Sequence, residues 1–247
     1  SSAYDSVFSI LYAVWKTNPE QWSYNFSSIN NDILENICNG SHDLSGGLNS
    51  LEHVRDRFRH ELDNLRIAGL WDIQTSVVRL LQLMFATPTQ IVSSQLTCSQ
   101  GHTLSQAQTH QHLIQSCILS AGTNPYVSIQ DWIQKLYSWF RCLNCNQHLI
   151  HSFSFSSIPA IILFEFEGKT IKNRLRELSI MVKHIILGLR TVPYTDALHY
   201  TLCIIVNQQL WYHDGITTGA DMVYEGLLQS ATDLMHCRGK EATVAIY

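Results

Sequence analysis

The period of the apolar residues changes near residue 90, and this change constrains the fold more than any other feature of the sequence. Before it, apolar side chains recur every three or four positions, as on one helix face. After it they come in short runs rich in β-branched and aromatic residues, as in strands. Val7, Ile10, Leu11, Val14 and Trp15 fall at helical spacing, with Asp5 or Ser6 as the expected cap and Asn18-Pro19 as the expected stop. Leu51, Val54, Phe58, Leu62 and Leu65 repeat the pattern between charged residues and predict an amphipathic packing helix from Ser50 to about Leu70. A further helix is expected from about Ile73 to Phe85. Strands are expected at Ile91 to Thr97, Ser152 to Ser156, Ile161 to Phe166, Tyr200 to Val206, Leu210 to His213 and Thr243 to Tyr247. The polar stretch from Ser99 to Ser116 reads as a surface insertion. The predicted architecture is α+β, with a mainly helical part over 1–90 and a mainly β part over 91–247 of one domain.

A chain of 247 residues with 45% hydrophobic and 15% charged composition has enough apolar surface for a sizeable core. The formal charge of -4, with basic residues spread along the chain, predicts neither a nucleic-acid partner nor an anionic membrane surface. The longest apolar runs fall well short of the roughly 18 residues of a bilayer span. The chain opens at Ser1-Ser2-Ala3 inside an apolar-periodic segment, which predicts further sequence upstream. Seven cysteines at irregular spacing do not form a disulfide framework and suggest a reducing, intracellular compartment, cytoplasm or nucleus.

Two of those cysteines form Cys142-Leu-Asn-Cys145, whose thiolates can grip one tetrahedral ion from a tight turn. Cys98-Ser-Gln-Gly-His102 offers the second half, with a glycine that lets the backbone turn between thiolate and imidazole. Cys98, His102, Cys142 and Cys145 make a Cys3His set, expected to hold a structural zinc ion because four protein ligands leave no open position. His110, His112 and His148 compete for the histidine role and Cys117 for that of Cys98, at spacings that make a less compact knuckle. A redox Cys-x-x-Cys would open a helix in a βαβ context that this sequence lacks. Cys38, Cys117, Cys203 and Cys237 read as small buried hydrophobes.

The segments from His199 to Val206 and from Leu210 to Asp214, separated by Asn207-Gln208-Gln209, read as a β-hairpin. A turn centred near Asn207-Gln208 sets His199 opposite or diagonal to Asp214, within reach of a side-chain hydrogen bond. A carboxylate so placed fixes the tautomer and orientation of a histidine acting as general base. Alternation turns His213 to the opposite face.

Several segments, in order and over most of the chain, resemble those of the ubiquitin-specific proteases. The family's catalytic Cys-Tyr helix start is matched by Ser2-Ala3-Tyr4-Asp5-Ser6, and its zinc knuckles by Cys98/His102 and Cys142/Cys145. The strand led by Ile158-Pro159, the histidine box His199-Tyr200, the Trp211-Tyr212 and Asp214 that follow, and the last strand from Ala242 to Tyr247 complete the series. The resemblance implies a papain-like fold, with a helical thumb-like lobe, a β-rich palm-like lobe and zinc-bound fingers at about 96–150. It also implies thiol-dependent hydrolysis of the isopeptide bond at the carboxyl end of ubiquitin, SUMO or another modifier, by a monomer. His199 would be the base, Asp214 its orienting partner, and Ser2 or Ala3 the nucleophile position, with Ser2 preferred. Neither is cysteine, so the chain as written is expected to be inactive, or to bind ubiquitin without cleaving it.

Overall fold

The structure, a computed structural model, describes residues 2–64, 76–109, 113–114, 129–130, 135–165, 179–182, 185–196, 199–219 and 221–247. Five helices come first: α1 (Ser2–Thr17), α2 (Pro19–Ser28), α3 (Asp32–Ser45), α4 (Leu51–Asn64) and α5 (Val77–Met84). Strands follow as β1 (Val92–Cys98), β2 (Thr103–Thr109), β3 (Leu113–Ile114), β4 (Lys135–Arg141) and β5 (His148–Phe155). Next come β6 (Leu163–Glu165), β7 (Ser179–Val182), β8 (Ile185–Gly188), β9 (Thr191–Asp196) and β10 (His199–Val206). The last are β11 (Gln209–His213), β12 (Val223–Leu227), β13 (His236–Cys237), β14 (Lys240–Ala242) and β15 (Val244–Ile246).

The helices start and stop where side chains replace missing backbone partners. Asn18 closes α1 and caps α2, its Oδ1 accepting from the Gln21 amide at 3.2 Å with Pro19 in the first turn. Asn31 accepts from the amides of Ile33 and Leu34 at the head of α3, and its Nδ2 donates to the Leu83 and Ala86 carbonyls at 2.9 and 3.1 Å. One asparagine thus starts α3 and ties it to the end of α5. Ser76 caps α5, so this helix begins later than the periodicity predicts; the remainder of the expected span from Ile73, and the expected end of α4 near Leu70, lie outside the described residues. The start of α1 differs from expectation. The helix already runs at Ser2, and Asp5 serves as an anchor instead of a cap, its Oδ1 lying 3.2 Å from Arg59 and 3.5 Å from Arg55 on α4.

The strands form a four-stranded sheet in the order β2-β1-β5-β4, a two-stranded β7-β8 sheet and a nine-stranded sheet. The last runs β12-β11-β10-β9-β15-β6-β3, with β14 lying along β9 beside β15 and β13 pairing with β14. Among the described residues, all pairings are antiparallel except β3 with β6. The expected surface insertion is therefore in part a strand. β2 pairs along β1 from Val92↔Thr109 to Thr97↔Thr103. As an edge strand it needs no apolar run, so periodicity does not reveal it.

Alternation along the nine-stranded sheet supplies two cores. Leu202, Ile204, Val244, Ile246 and Leu163 face the helices, with Val7, Ile10, Leu11 and Val14 of α1, Leu80 and Met84 of α5, and Leu34 and Ile37 of α3. Their neighbours Cys203, Ile205, Ala245, Tyr247 and Phe164 face the other way, onto Tyr194, Met235 and the Val92 and Phe155 ends of β1 and β5. Each fully buried Leu, Ile or Val contributes roughly 1.5–3 kcal/mol, which fixes the register of β10 and hence the position of its first residue, His199. No helix among the described residues is long and apolar enough to cross a membrane.

Candidate active site and metal centre

The β10–β11 turn is built on Asn207 and Gln208, both left-handed, with φ of 50° and 63°. Positive φ at both central residues is the two-residue hairpin geometry that matches strand twist. It sets Leu202 opposite His213, so His199 lies diagonal to Asp214 across the pair. The side chains meet, His199 Nε2 lying 2.8 Å from Asp214 Oδ1. Asp214 is buried.

Its carboxylate is saturated with donors. Oδ1 also accepts from the amides of Ile216 at 2.9 Å and Thr217 at 3.4 Å, and Oδ2 from the Tyr212 hydroxyl at 3.2 Å. Thr218 closes the turn, its Oγ1 accepting from the Asp214 amide and donating to the Asp214 carbonyl. Burial alone would raise the Asp214 pKa, but the Ile216 amide, Thr217 and His199 outweigh it and hold the pKa at about 2. A carboxylate that stays ionised can only accept, so His199 Nε2 carries a proton toward it, and Nδ1 is the ring nitrogen left to exchange one. Nδ1 is buried and has no hydrogen-bond partner among the described residues. Such a ring holds its basic nitrogen ready toward an incoming proton.

His199 opens the strand against which α1 packs. Ala3 and Tyr4, in the first turn of α1, belong to the same apolar cluster as Leu202, with Tyr200 packed against it. The two places expected for the nucleophile are therefore on the element that adjoins the histidine strand. Ala3 is almost fully buried; of Ser2 only the backbone is described. His213 turns away, its Nδ1 lying 3.2 Å from the Asp221 carbonyl oxygen. Sequence reasoning did not assign the Asp214 clamp. An Asp followed by Gly-Ile-Thr-Thr is a local signature for a carboxylate that accepts from amides two and three residues on, and Tyr212 shares the Asp214 face by alternation.

The second cluster sits at the far end of the four-stranded sheet. Pairing of Cys98 with Leu149 across β1 and β5 brings two tight turns side by side. In the first, the Cys98 amide donates to the His102 carbonyl at 3.0 Å and Gly101 has φ of 82°. In the second, the Cys142 amide donates to the Gln147 carbonyl at 2.8 Å and Asn146 has φ of 57°. The ligand atoms of Cys98, His102, Cys142 and Cys145 all lie within 4.8 Å of one another. His102 Nδ1 is 3.4 Å from Cys98 Sγ and 3.5 Å from Cys142 Sγ, and Cys145 Sγ is 3.5 Å from Cys98 Sγ. A tetrahedral zinc with ordinary bond lengths spaces its ligands by roughly 3.8 Å between sulfurs and about 3.6 Å between sulfur and nitrogen, so the donor set fits. Burial opposes ionisation of Cys98, yet hydrogen bonds from the Gln100 and His102 amides and the neighbouring thiols bring its pKa down to about 6. Leu96 and Leu149 pack against the cysteines. His148 is exposed on β5, and His110, His112 and Cys117 lie outside the described residues.

No protein-family model matches the chain, and no curated protein does. Among solved structures, it is similar to a chain of the SAGA Ubp8/Sgf11/Sus1/Sgf73 DUB module, with a TM-score of 0.49 and 12% identity over 100% of its length. A chain of the yeast SAGA DUBm with an Sgf73 mutant gives 0.43 and 12% over 100%. A chain of the SAGA DUB module bound to monoubiquitin gives 0.39 and 11% over 87%. The present chain covers 66%, 65% and 52% of those chains respectively, about two thirds of their length or less.

Proposed function

We propose that this chain is the catalytic domain of a papain-like thiol isopeptidase of the ubiquitin-specific-protease type, with its nucleophile replaced. The observation that carries the reading is the His199–Asp214 pair at 2.8 Å, whose second imidazole nitrogen is buried without a partner among the described residues on the strand against which α1 packs. A histidine held this way needs an acidic hydrogen to take up. The ordered sequence resemblance names the donor, a cysteine at Ser2 or Ala3 where the helix dipole favours a thiolate.

In the cysteine-bearing parent, His199 Nδ1 takes the thiol proton and the thiolate attacks the carbonyl carbon of the bond between the modifier's carboxyl end and a lysine amine. The imidazolium returns its proton to the leaving amine, giving a thioester. His199 then takes a proton from water, and the hydroxide releases the modifier. Asp214 stays ionised throughout, fixing the ring and stabilising the imidazolium. Amides of the first turn of α1 would hold the developing oxyanion. Cys98, His102, Cys142 and Cys145 would hold zinc, which supplies structural rigidity to the fingers and no step of the reaction.

Serine or alanine at that position leaves recognition without hydrolysis, so this chain is expected to bind ubiquitin or a related modifier. Ser2→Cys and Ala3→Cys, made separately, test the reading against ubiquitin and SUMO suicide probes that carry an electrophile at the carboxyl end. One variant should form a covalent adduct with one probe, and adding His199→Ala should abolish it. Failure of both variants with every probe, in protein that remains folded, would overturn the proposal.

A further inference from the structure

Outside both clusters, two thiols face each other across the core below the nine-stranded sheet. Cys203 Sγ on β10 lies 3.7 Å from Cys237 Sγ at the end of β13. The two residues are far apart in sequence, and three consecutive strand pairings hold them together. Cys203 pairs with Val192 on β9, β9 pairs with β14 through Tyr194↔Ala242, and Lys240 of β14 pairs with Cys237. The turn between Cys237 and Lys240 consists of Arg238 and Gly239, with φ of 49° and 83°, the tight two-residue hairpin geometry. That turn is pinned from outside: the Arg238 guanidinium stacks 3.8 Å over the Tyr212 ring and pairs with Glu225.

The two sulfurs differ in access. Cys203 is buried, whereas Cys237 is half-buried at the surface of the same core, flanked by Arg238 and beside Lys240. Cys203 donates its S–H toward Cys237, which lowers the Cys237 pKa against its partial burial and the nearby Glu225 carboxylate, with the Arg238 and Lys240 charges adding to the lowering. That same contact, together with burial, raises Cys203 and keeps it a thiol. One sulfur is thus half-buried, within reach of solvent and disposed to ionise, and the other waits behind it protonated.

We propose that Cys203 and Cys237 form an oxidisable dithiol, converted to an intramolecular disulfide by hydroperoxides. The Cys237 thiolate attacks the outer peroxide oxygen, breaking the O–O bond; an alkoxide or hydroxide leaves, takes up a proton, and Cys237 becomes a sulfenic acid. The Cys203 sulfur attacks the Cys237 sulfur, its proton leaves with the hydroxyl as water, and the S–S bond forms. In sum, two thiols and one hydroperoxide give a disulfide, an alcohol or water, and one further water. The sulfurs must close from 3.7 Å to about 2.05 Å. The product joins β13 covalently to β10, the strand that begins at His199. This proposal does not depend on the isopeptidase reading.

The test treats the purified chain with hydrogen peroxide, unfolds it in urea so that buried Cys203 is reachable, alkylates it with iodoacetamide and digests it without reductant. A peptide linking Cys203 to Cys237 should appear, with loss of alkylation at both, and should vanish after dithiothreitol. In Cys203→Ser, dimedone should trap the sulfenic acid on Cys237, while the unsubstituted chain should show that adduct only weakly. The proposal is overturned if both cysteines of the unsubstituted chain stay alkylated at a peroxide dose that oxidises Cys98, Cys142 and Cys145. It is equally overturned if the dimedone adduct on Cys237 is as strong with Cys203 present as without it. The peptide map of the unsubstituted chain decides the matter even if the serine variant does not fold.

Discussion

Replacing Asp214 by asparagine removes one charge from a buried turn and leaves an oxygen for the Ile216 and Thr217 amides, so its effect isolates what the ionised carboxylate gains from its donors, the Ile216 amide and Thr217 first and His199 after them. The folded carboxyl titrates at about 2 instead of its ordinary 3.8, a difference that corresponds to about 2.5 kcal/mol at roughly 1.36 kcal/mol per unit. The His199 side chain is 24% exposed, and solvent screening there reduces the expected contribution to about 1–2 kcal/mol. The folded value lies below the unfolded one. The stabilisation is therefore fully present above about pH 4 and is lost as pH falls toward about 2, with roughly half remaining near pH 3. Urea unfolding followed by tryptophan fluorescence should show Asp214→Asn less stable by about 1–2 kcal/mol at neutral pH, with the gap to the unsubstituted chain shrinking below about pH 4. Loss of metal in acid affects both proteins alike and cancels in the difference. A gap that stays constant down to about pH 3, or no gap at neutral pH, would refute the reasoning.

Three further outcomes follow from other parts of the fold. Metal analysis of the purified chain should find about one zinc ion per molecule, lost in Cys145→Ser together with a fall in melting temperature; a fully folded, metal-free protein would reject the Cys3His centre. A side chain at Gly40 would place its Cβ 2.4 Å from Val54 Cγ1 on α4, so Gly40→Ala should destabilise by about 1–3 kcal/mol in thermal unfolding, and an unchanged melting temperature would contradict the close α3–α4 approach. Gln208 occupies a left-handed position at φ of 63°, and Gln208→Gly should raise stability by roughly 0.5–1 kcal/mol, whereas any loss would mean that the turn gains more from the side chain than it pays in strain.

The contrast between the two clusters shows which physics a sequence displays openly. His199 and Asp214 are brought together by a single hairpin, so strand alternation and one turn suffice to predict that they meet. The metal cluster needs a pairing between β1 and β5 that no local pattern announces, yet each half is a short turn whose residue types advertise their chemistry. Cys203 and Cys237 have neither advantage. Their approach depends on three successive strand pairings and on a turn held by Arg238 against Tyr212, and so they read from sequence as two unrelated apolar residues. Cys203 is buried as that reading expects, but Cys237 is only half so. The elements without a clear apolar period are set by caps and by their place in a sheet. α2 and α3 owe their starts to Asn18 and Asn31, and α3 carries Gly40 and Ser41 on its buried face where an apolar stripe would be sought. β2 lies at a sheet edge and carries Thr, Ser and Gln, because an edge strand is satisfied by its backbone pairing with β1 and has no apolar face to fill. What remains hidden is thus the part set by long-range pairing, and it is where the structure adds a thiol pair to the two sites the sequence already suggests.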